Sequence, residues 1–298
     1  MGVPVSPVHD DRLKQQQWGW EREPPSLTVK QSAMLETTIE EVRASPLCSS
    51  AKIIAGRSAV WRYLVAAQWR LEPVGGRRVS DFFIDTLKWR LDEGVDDILE
   101  QAKTFRTEAA SGKLFVRGTC LTKRPLIWVH LGRENNALDP EANVRFLIYT
   151  VERAIASMEP AALNPEGKGQ FCVVVDCSLA GAGGGLPSLA FIRRAVSMLM
   201  LRYPSRLGNM FIVNAGLAMY YLWQAISVVL AQVTRDKVVV VSGTDEQRQE
   251  VLLGHLSAEA LEGGRLGCPG APAFNAELYL AGGDAGGLST SEENSQPS

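Results

Sequence analysis

Cysteine is scarce here, and what there is does not pair. The five cysteines, Cys48, Cys120, Cys172, Cys177 and Cys268, contain no C-x-x-C spacing, which argues against a disulfide frame or a zinc knot and for reduced thiols. Histidine is scarcer still: His9, His130 and His255 are far apart, so no pair sits at metal-ligand spacing and no metal is expected. No apolar run approaches the roughly 20 residues needed to cross a bilayer. The opening MGVPVSPVHDDRLKQQQ lacks the apolar centre of a secretory leader, and Pro7 after Ser6 makes Gly2 a poor match to an acylation signal. No G-x-S-x-G elbow and no phosphate-binding G-x-x-x-x-G-K occurs. Charge of one sign is also missing, since the net of −2 marks neither a nucleic-acid binder nor an acidic tail. The expectation is a cytoplasmic protein that is not an enzyme, carries no cofactor and binds no nucleic acid.

What is present is apolar surface. Hydrophobic residues make up 46% of the 298 and charged residues 21%, the balance of a folded globular chain. The grease is concentrated between Arg202 and Val241. Two short β-branched runs there, Met210–Val213 and Val238–Val241, read as buried strands. Between them, Leu217 to Leu230 is apolar on every side of a helical wheel, with Gln224 and Ser227 as the clear polar interruptions. An ordinary surface helix has one apolar stripe, so this one must cover a core, a partner or a lipid-filled cavity.

Around that stretch the chain divides by texture. Residues 1–26 are rich in Pro and Gln and read as a flexible arm. Helices are expected at Leu27–Val42, Ser58–Ala67, Val79–Leu91 and Asp96–Ala110, the second and third split by Pro73 and Gly75-Gly76. From Lys113 strands alternate with helices: strands at Leu114–Arg117, Leu126–Leu131 and Phe171–Asp176, helices at Pro140–Met158, Pro187–Tyr203 and Asp245–Leu253. That alternation predicts an α/β fold with a mostly parallel sheet. The tail 281–298, of Gly, Ser and Glu, reads as disordered. Asp176 ends a strand, where it can bond loop backbone, and His130 ends another as an edge residue. The glycines at 181, 183, 184 and 185 stand between a strand and a helix, the order of a nucleotide-binding loop. Leu186 occupies the third glycine position, however, and Asn214 stands where an acid should bind ribose. A connector is the expected role.

One ordered set of residues carries a resemblance. Tyr203-Pro204, Arg206-Leu207-Gly208, the strand Phe211-Ile212-Val213-Asn214-Ala215, the apolar helix, then Thr234 and Lys237 before a last strand resemble the CRAL-TRIO lipid-transfer family. Trp61-Arg62-Tyr63-Leu64 and Leu87-Lys88-Trp89-Arg90 resemble, more loosely, the helical module that precedes the lipid domain there, and Leu261–Gly267 the family's closing segment. The resemblance implies an arm at 1–26, a helical module at 27–111, a lipid-binding domain at 112–280 and a tail. It implies a sheet flooring an apolar cavity under a gate helix, with Leu217, Met219, Tyr220, Tyr221, Leu222, Trp223, Ile226, Val229 and Leu230 forming gate and cavity wall. Thr234 and Lys237 would hold a phospholipid headgroup, such as that of phosphatidylinositol. Ala67, Gln68 and Ser205 stand where inositol-lipid carriers hold basic residues and a glutamate, so half of that headgroup site is missing or rebuilt. The implied function is to bind one lipid and exchange it at a membrane touched only transiently. The alternatives are a protein-docking module without lipid and a nucleotide enzyme using the 181–185 glycines.

Overall fold

Thr28 starts the first helix by a reciprocal cap. Its hydroxyl accepts the Gln31 N–H at 3.2 Å, and the Gln31 side-chain oxygen accepts the Thr28 N–H at 3.0 Å. The computed structural model describes residues 27–50, 57–73, 75–134, 139–158, 169–178, 187–228, 230–264 and 274–282. The arm 1–26, the glycines 181–185, residues 265–267 of the closing segment, Cys268 and the tail from 283 lie outside them.

Helix α1 (Val29–Arg43), a single turn α2 (Leu47–Ser50), α3 (Arg57–Ala66) and α4 (Val79–Asp92) form the N-terminal module. They share a core of Leu35, Ile39, Val60, Leu64, Phe83 and Leu87. The helix expected at Asp96–Ala110 is broken into two 3₁₀ turns, Val95–Asp97 and Ala102–Phe105, and the short α5 (Arg106–Ala109). Local competition accounts for the break. Gly94 is left-handed, Asp96 is drawn to the Arg90 guanidinium at 2.7 Å, and the Thr104 hydroxyl bonds the Gln101 carbonyl at 2.8 Å. Val95, Ile98, Phe105 and Ala109 point into the core of the following sheet rather than that of the module.

The sheet holds β1 (Leu114–Thr119), β2 (Pro125–His130), β3 (Phe171–Asp176), β4 (Leu207–Val213) and β5 (Val238–Val241), neighbours in chain order. The first pair is an antiparallel hairpin and the other three pairings are parallel. This is the α/β architecture expected from the alternation. Helix α6 (Pro140–Ala156) joins β2 to β3, and α7 (Leu189–Arg202) joins β3 to β4, with Pro187 just outside its Ser188 cap. Helix α8 (Leu217–Ser227) and the turn α9 (Gln232–Arg235) lead to β5; α10 (Asp245–Leu253), α11 (Ala258–Gly264) and α12 (Ala276–Leu280) follow. The sequence reading did not anticipate α12, a five-residue helix capped by Asn275.

Period-2 alternation gives the sheet two different faces. On the first, Trp128, Val174, Phe211 and Val213 are buried beneath α10 and α11, where the Phe211 and His255 rings lie 4.9 Å apart. On the second, Ile127, Val173, Val175 and Ile212 are buried, whereas Val129, Met210 and Val238 are only half-buried and Val240 is 52% exposed. The Cys177 N–H bonds the Val213 carbonyl and the Met210 N–H bonds the Lys237 carbonyl, which fixes the direction of each strand's pleat. With that pleat, the right-handed sense of parallel crossovers sets α6 and α7 over the second face. Helix α6 packs on β1 and β2, but the main neighbours of α7 are α6 and α4, not the strands it connects. Ala195 is the one buried residue of α7.

Candidate functional site

Two regions are built by residues that the sequence singled out. The first is the junction of the helical module with the sheet, and it is where Tyr203-Pro204-Ser205-Arg206 sits. Glu152 of α6 is fully buried and its Oε1 accepts from Arg90 Nη1 at 2.6 Å and from the Tyr203 hydroxyl at 2.7 Å. Arg90 reaches on to Asp96. Burial works against the charge of Arg90, yet Glu152, Tyr203 and Asp96 together outweigh it and hold the guanidinium above its usual pKa. Burial, with Glu152 beside it, drives the Tyr203 phenol well up. Arg206 donates to the Gly169 carbonyl at 2.8 Å, and burial draws its pKa down to about 10. Ser205, in left-handed backbone at φ 57°, donates from its hydroxyl to the Arg62 carbonyl at 3.2 Å. Arg202 lies over the Trp89 ring and bonds the Thr86 hydroxyl at 3.3 Å. Gly208 is a glycine because a Cβ there would come within 2.9 Å of the Arg124 guanidinium and 3.2 Å of the Phe171 carbonyl. The motif therefore locks module to sheet; what it does to a ligand is a separate matter.

The second region is α8 and what adjoins it. Met219 and Trp223 pack against the main core and Ile226 is buried, all on one side of the helix. Tyr221 and Val228, on the other side, are 69% and 81% exposed. The all-round apolar wheel thus has both an inward and an outward face. Leu230 is half-buried. The side chains of Leu217, Tyr220 and Leu222, and all of Val229, lie outside the described residues. The helix stops at Ser227 instead of running to Leu230: the Ser227 hydroxyl turns back to the Gln224 carbonyl at 3.2 Å, and the Ser227 carbonyl is taken by Arg235 at 3.0 Å.

At the start of α8, Asn214 is left-handed, and its side-chain amide donates to Asp176 Oδ1 at 2.8 Å. The same oxygen accepts the Ser178 N–H at 2.9 Å, and His130 Nδ1 lies 3.3 Å from Oδ2. The expected bonding of Asp176 to loop backbone is present, but His130 is a buried partner of Asp176 rather than an edge residue, stacked against Phe115 and Trp128. Burial alone would push the Asp176 carboxyl up. The bonds from His130, Asn214 and Ser178 outweigh burial and hold it well below the usual carboxylate range. A folded-state pKa below the unfolded one gives stability that is complete above the unfolded pKa and lost as pH falls through the folded one. Asp176→Asn is expected to cost about 1–3 kcal/mol at neutral pH. In urea unfolding across pH, the gap between wild type and variant should close below about pH 4. A gap independent of pH would show that the charge of Asp176 plays no part.

A cleft of about 110 Å³ opens beside this cluster, lined by Trp128, Asp176, Asn214, Arg248, Gln249 and Leu261 among others. It lies at the C-terminal ends of β3 and β4. Ligand pockets for organic molecules span roughly 300–1,000 Å³, so this one alone would hold no acyl chain. Thr234 and Lys237 are not brought to it. They stand at the opposite, N-terminal end of β5, where the Lys237 ammonium donates to the Leu207 carbonyl at 2.7 Å and the Lys237 N–H bonds the Thr234 carbonyl. No sequence signal pointed to Asp176, Asn214 and His130 as one cluster, since strand order alone makes them neighbours. Among the described residues there is no group of three or more His, Cys, Asp or Glu able to hold a metal ion, and no helix long and apolar enough to cross a membrane.

Comparison with known proteins places this geometry. The model of the CRAL/TRIO domain matches residues 109–263. A CRAL-TRIO domain-containing protein of Schizosaccharomyces pombe is 24% identical over 225 residues, covering 71% of this chain and 21% of that protein. The Sec14 cytosolic factor of the same yeast is 25% identical over 221 residues, covering 70% of this chain and 74% of its own length. The chain thus spans about a fifth of the first relative and about three-quarters of the second. The crystal structure of Sfh5 shares the fold, with a TM-score of 0.53 at 14% identity over 72% of this chain and 80% of that one. A domain match over more than half of the residues, on a sheet and helices of this order, shows that the chain belongs to the CRAL-TRIO family.

Proposed function

We propose that this protein binds a single lipid between the second face of its sheet and helices α7 and α8, and exchanges it at a membrane surface. The observation that carries the reading is the incomplete cover of that face. Val129, Met210 and Val238 are half-buried and Val240 is exposed, although the connecting helices are themselves apolar. Two apolar surfaces that meet loosely are costly in water, and an acyl chain between them removes both from it at about 25 cal/mol per Å². A chain of about 16 carbons, at about 0.8 kcal/mol per buried CH₂, then leaves the bilayer for the protein at little net cost. The CRAL-TRIO resemblance implies the same chemistry, in the cytoplasm with transient membrane contact. The boundaries 27–111 and 112–280 go with it as module and lipid domain.

The lipid is best read as a phospholipid, with Thr234 and Lys237 toward its phosphate. Lys237 already donates to the Leu207 carbonyl, so a phosphate replaces a partner rather than filling a vacancy. Lys237→Ala is therefore expected to weaken loading of phosphatidylinositol and phosphatidylcholine alike, by about three- to tenfold. Native mass spectrometry of the full chain after incubation with mixed vesicles tests the reading. One bound phospholipid per chain is expected. Apo protein after exposure to every lipid class, with a bound protein instead, would favour the docking-module reading, and a bound nucleotide would favour the 181–185 loop.

A further inference from the structure

Helix α8 is held differently at its two ends. Its first turn follows Gly216, which offers no side-chain cap. Its last turn is held by a cation from the next element. Arg235 Nη1 donates to the Ser227 carbonyl at 3.0 Å and to the Leu230 carbonyl at 2.7 Å. Ser227 is the last residue of α8 and its carbonyl also accepts the Leu230 N–H at 3.3 Å, while Leu230 stands in the turn beyond. Arg235 ties the two together, and a guanidinium there also meets the negative end of the helix dipole. Arg235 is itself aimed. Its Nη2 donates to Gln232 Oε1 at 2.5 Å, and Gln232 Nε2 donates to Asp236 Oδ1 at 2.5 Å.

Arg235 also belongs to the fixed side of the joint. It ends α9, two residues before Lys237, whose carbonyl accepts the Met210 N–H and whose ammonium reaches Leu207. Lys237 is thereby fastened to β4, and Arg235 stands two residues from that anchor. Among the described side chains of α8 and its C-cap, Met219, Trp223 and Ile226 face inward while Tyr221 and Val228 face out. A helix whose first turn has no side-chain cap leans on the bonds at its far end.

We infer that Arg235 is a positioning residue for α8: it latches the last turn of the helix to the sheet and sets how often α8 leaves its closed position. This rests on the reading of α8 as the gate of a lipid cleft. Loss of the latch raises the open population and shortens the time a bound lipid stays.

The test uses the full chain with Arg235→Met, which keeps the stem and removes the donors, and Arg235→Lys, which keeps a charge but can reach fewer carbonyls. Hydrogen exchange is followed by mass spectrometry, alongside release of a fluorescent phosphatidylcholine into acceptor vesicles of unlabelled phosphatidylcholine. For Arg235→Met, protection over 217–230 is expected to fall about tenfold with that of β4 and β5 unchanged, release is expected to quicken several-fold, and Arg235→Lys should fall between. Unchanged protection over 217–230 would overturn the latch. So would an equal loss across β4 and β5, which would make Arg235 a general structural residue. If wild type loads no lipid, the lipid reading fails, while the exchange experiment still decides the latch.

Discussion

Glu152→Gln is expected to lower the melting temperature by about 10 °C, the largest change expected from one substitution in this chain. Glu152 is fully buried and receives both the Arg90 guanidinium and the Tyr203 hydroxyl on one oxygen. Removing its charge keeps the shape but takes from Arg90, itself 2% exposed, its fully buried carboxylate and leaves Asp96 beside it. Breaking one side of a buried pair costs about 3–5 kcal/mol. At about 2–4 °C per kcal/mol for a domain of this size, that is the shift given. The decisive comparison is with Arg90→Met/Glu152→Leu, which removes both charges and fills the space. The double variant should melt well above the single one, because no fully buried charge has lost its partner: Asp96, which Arg90 then leaves, is nearer to solvent at 12% exposure. A single variant within 2 °C or so of wild type would mean that water reaches the junction.

Tyr221→Asp/Val228→Asp should abolish vesicle binding and transfer while leaving the melting temperature near that of wild type. Both side chains are mostly exposed on the outward face of α8, at 69% and 81%, so neither contributes much to the core. Each is worth roughly 1.5–3 kcal/mol if it enters the membrane interior, and a carboxylate there is opposed further. The pair then accounts for about a hundredfold or more in membrane affinity. Vesicle co-flotation and a transfer assay read this directly. Transfer at the wild-type rate would remove α8 from the membrane contact. It would leave the lipid cleft as proposed, since that rests on the half-covered second face of the sheet and not on the outward face of α8.

The helices and strands were legible wherever local sequence decides them. β3 and β5 lie where their β-branched runs end, and α10 begins where Thr244 caps it. The helical stretch 96–110 was misread because periodicity cannot register a glycine in left-handed backbone or an aspartate claimed by a distant arginine. The resemblance of Tyr203 to Gly208 was visible, but its work was not. That motif meets Glu152, 51 residues earlier, which meets Arg90, another 62 residues earlier. No window of sequence contains such a contact.

Helix α8 shows the same division. The amount of apolar surface on 217–230 is a property of composition, so the sequence by itself determined that this helix must cover something. Which side faces in, where the helix stops and what holds its end depended on Arg235, Asn214 and the pleat of β4 and β5. Lys237 could be named as a cation before a strand, yet its nearness to Leu207 and its distance from the Asp176 cleft follow from parallel pairing. Pattern along the chain fixes which surfaces are apolar because burial is paid for residue by residue. Only the packed structure fixes which surfaces meet, because hydrogen bonds and pleat direction are set by neighbours far away in sequence.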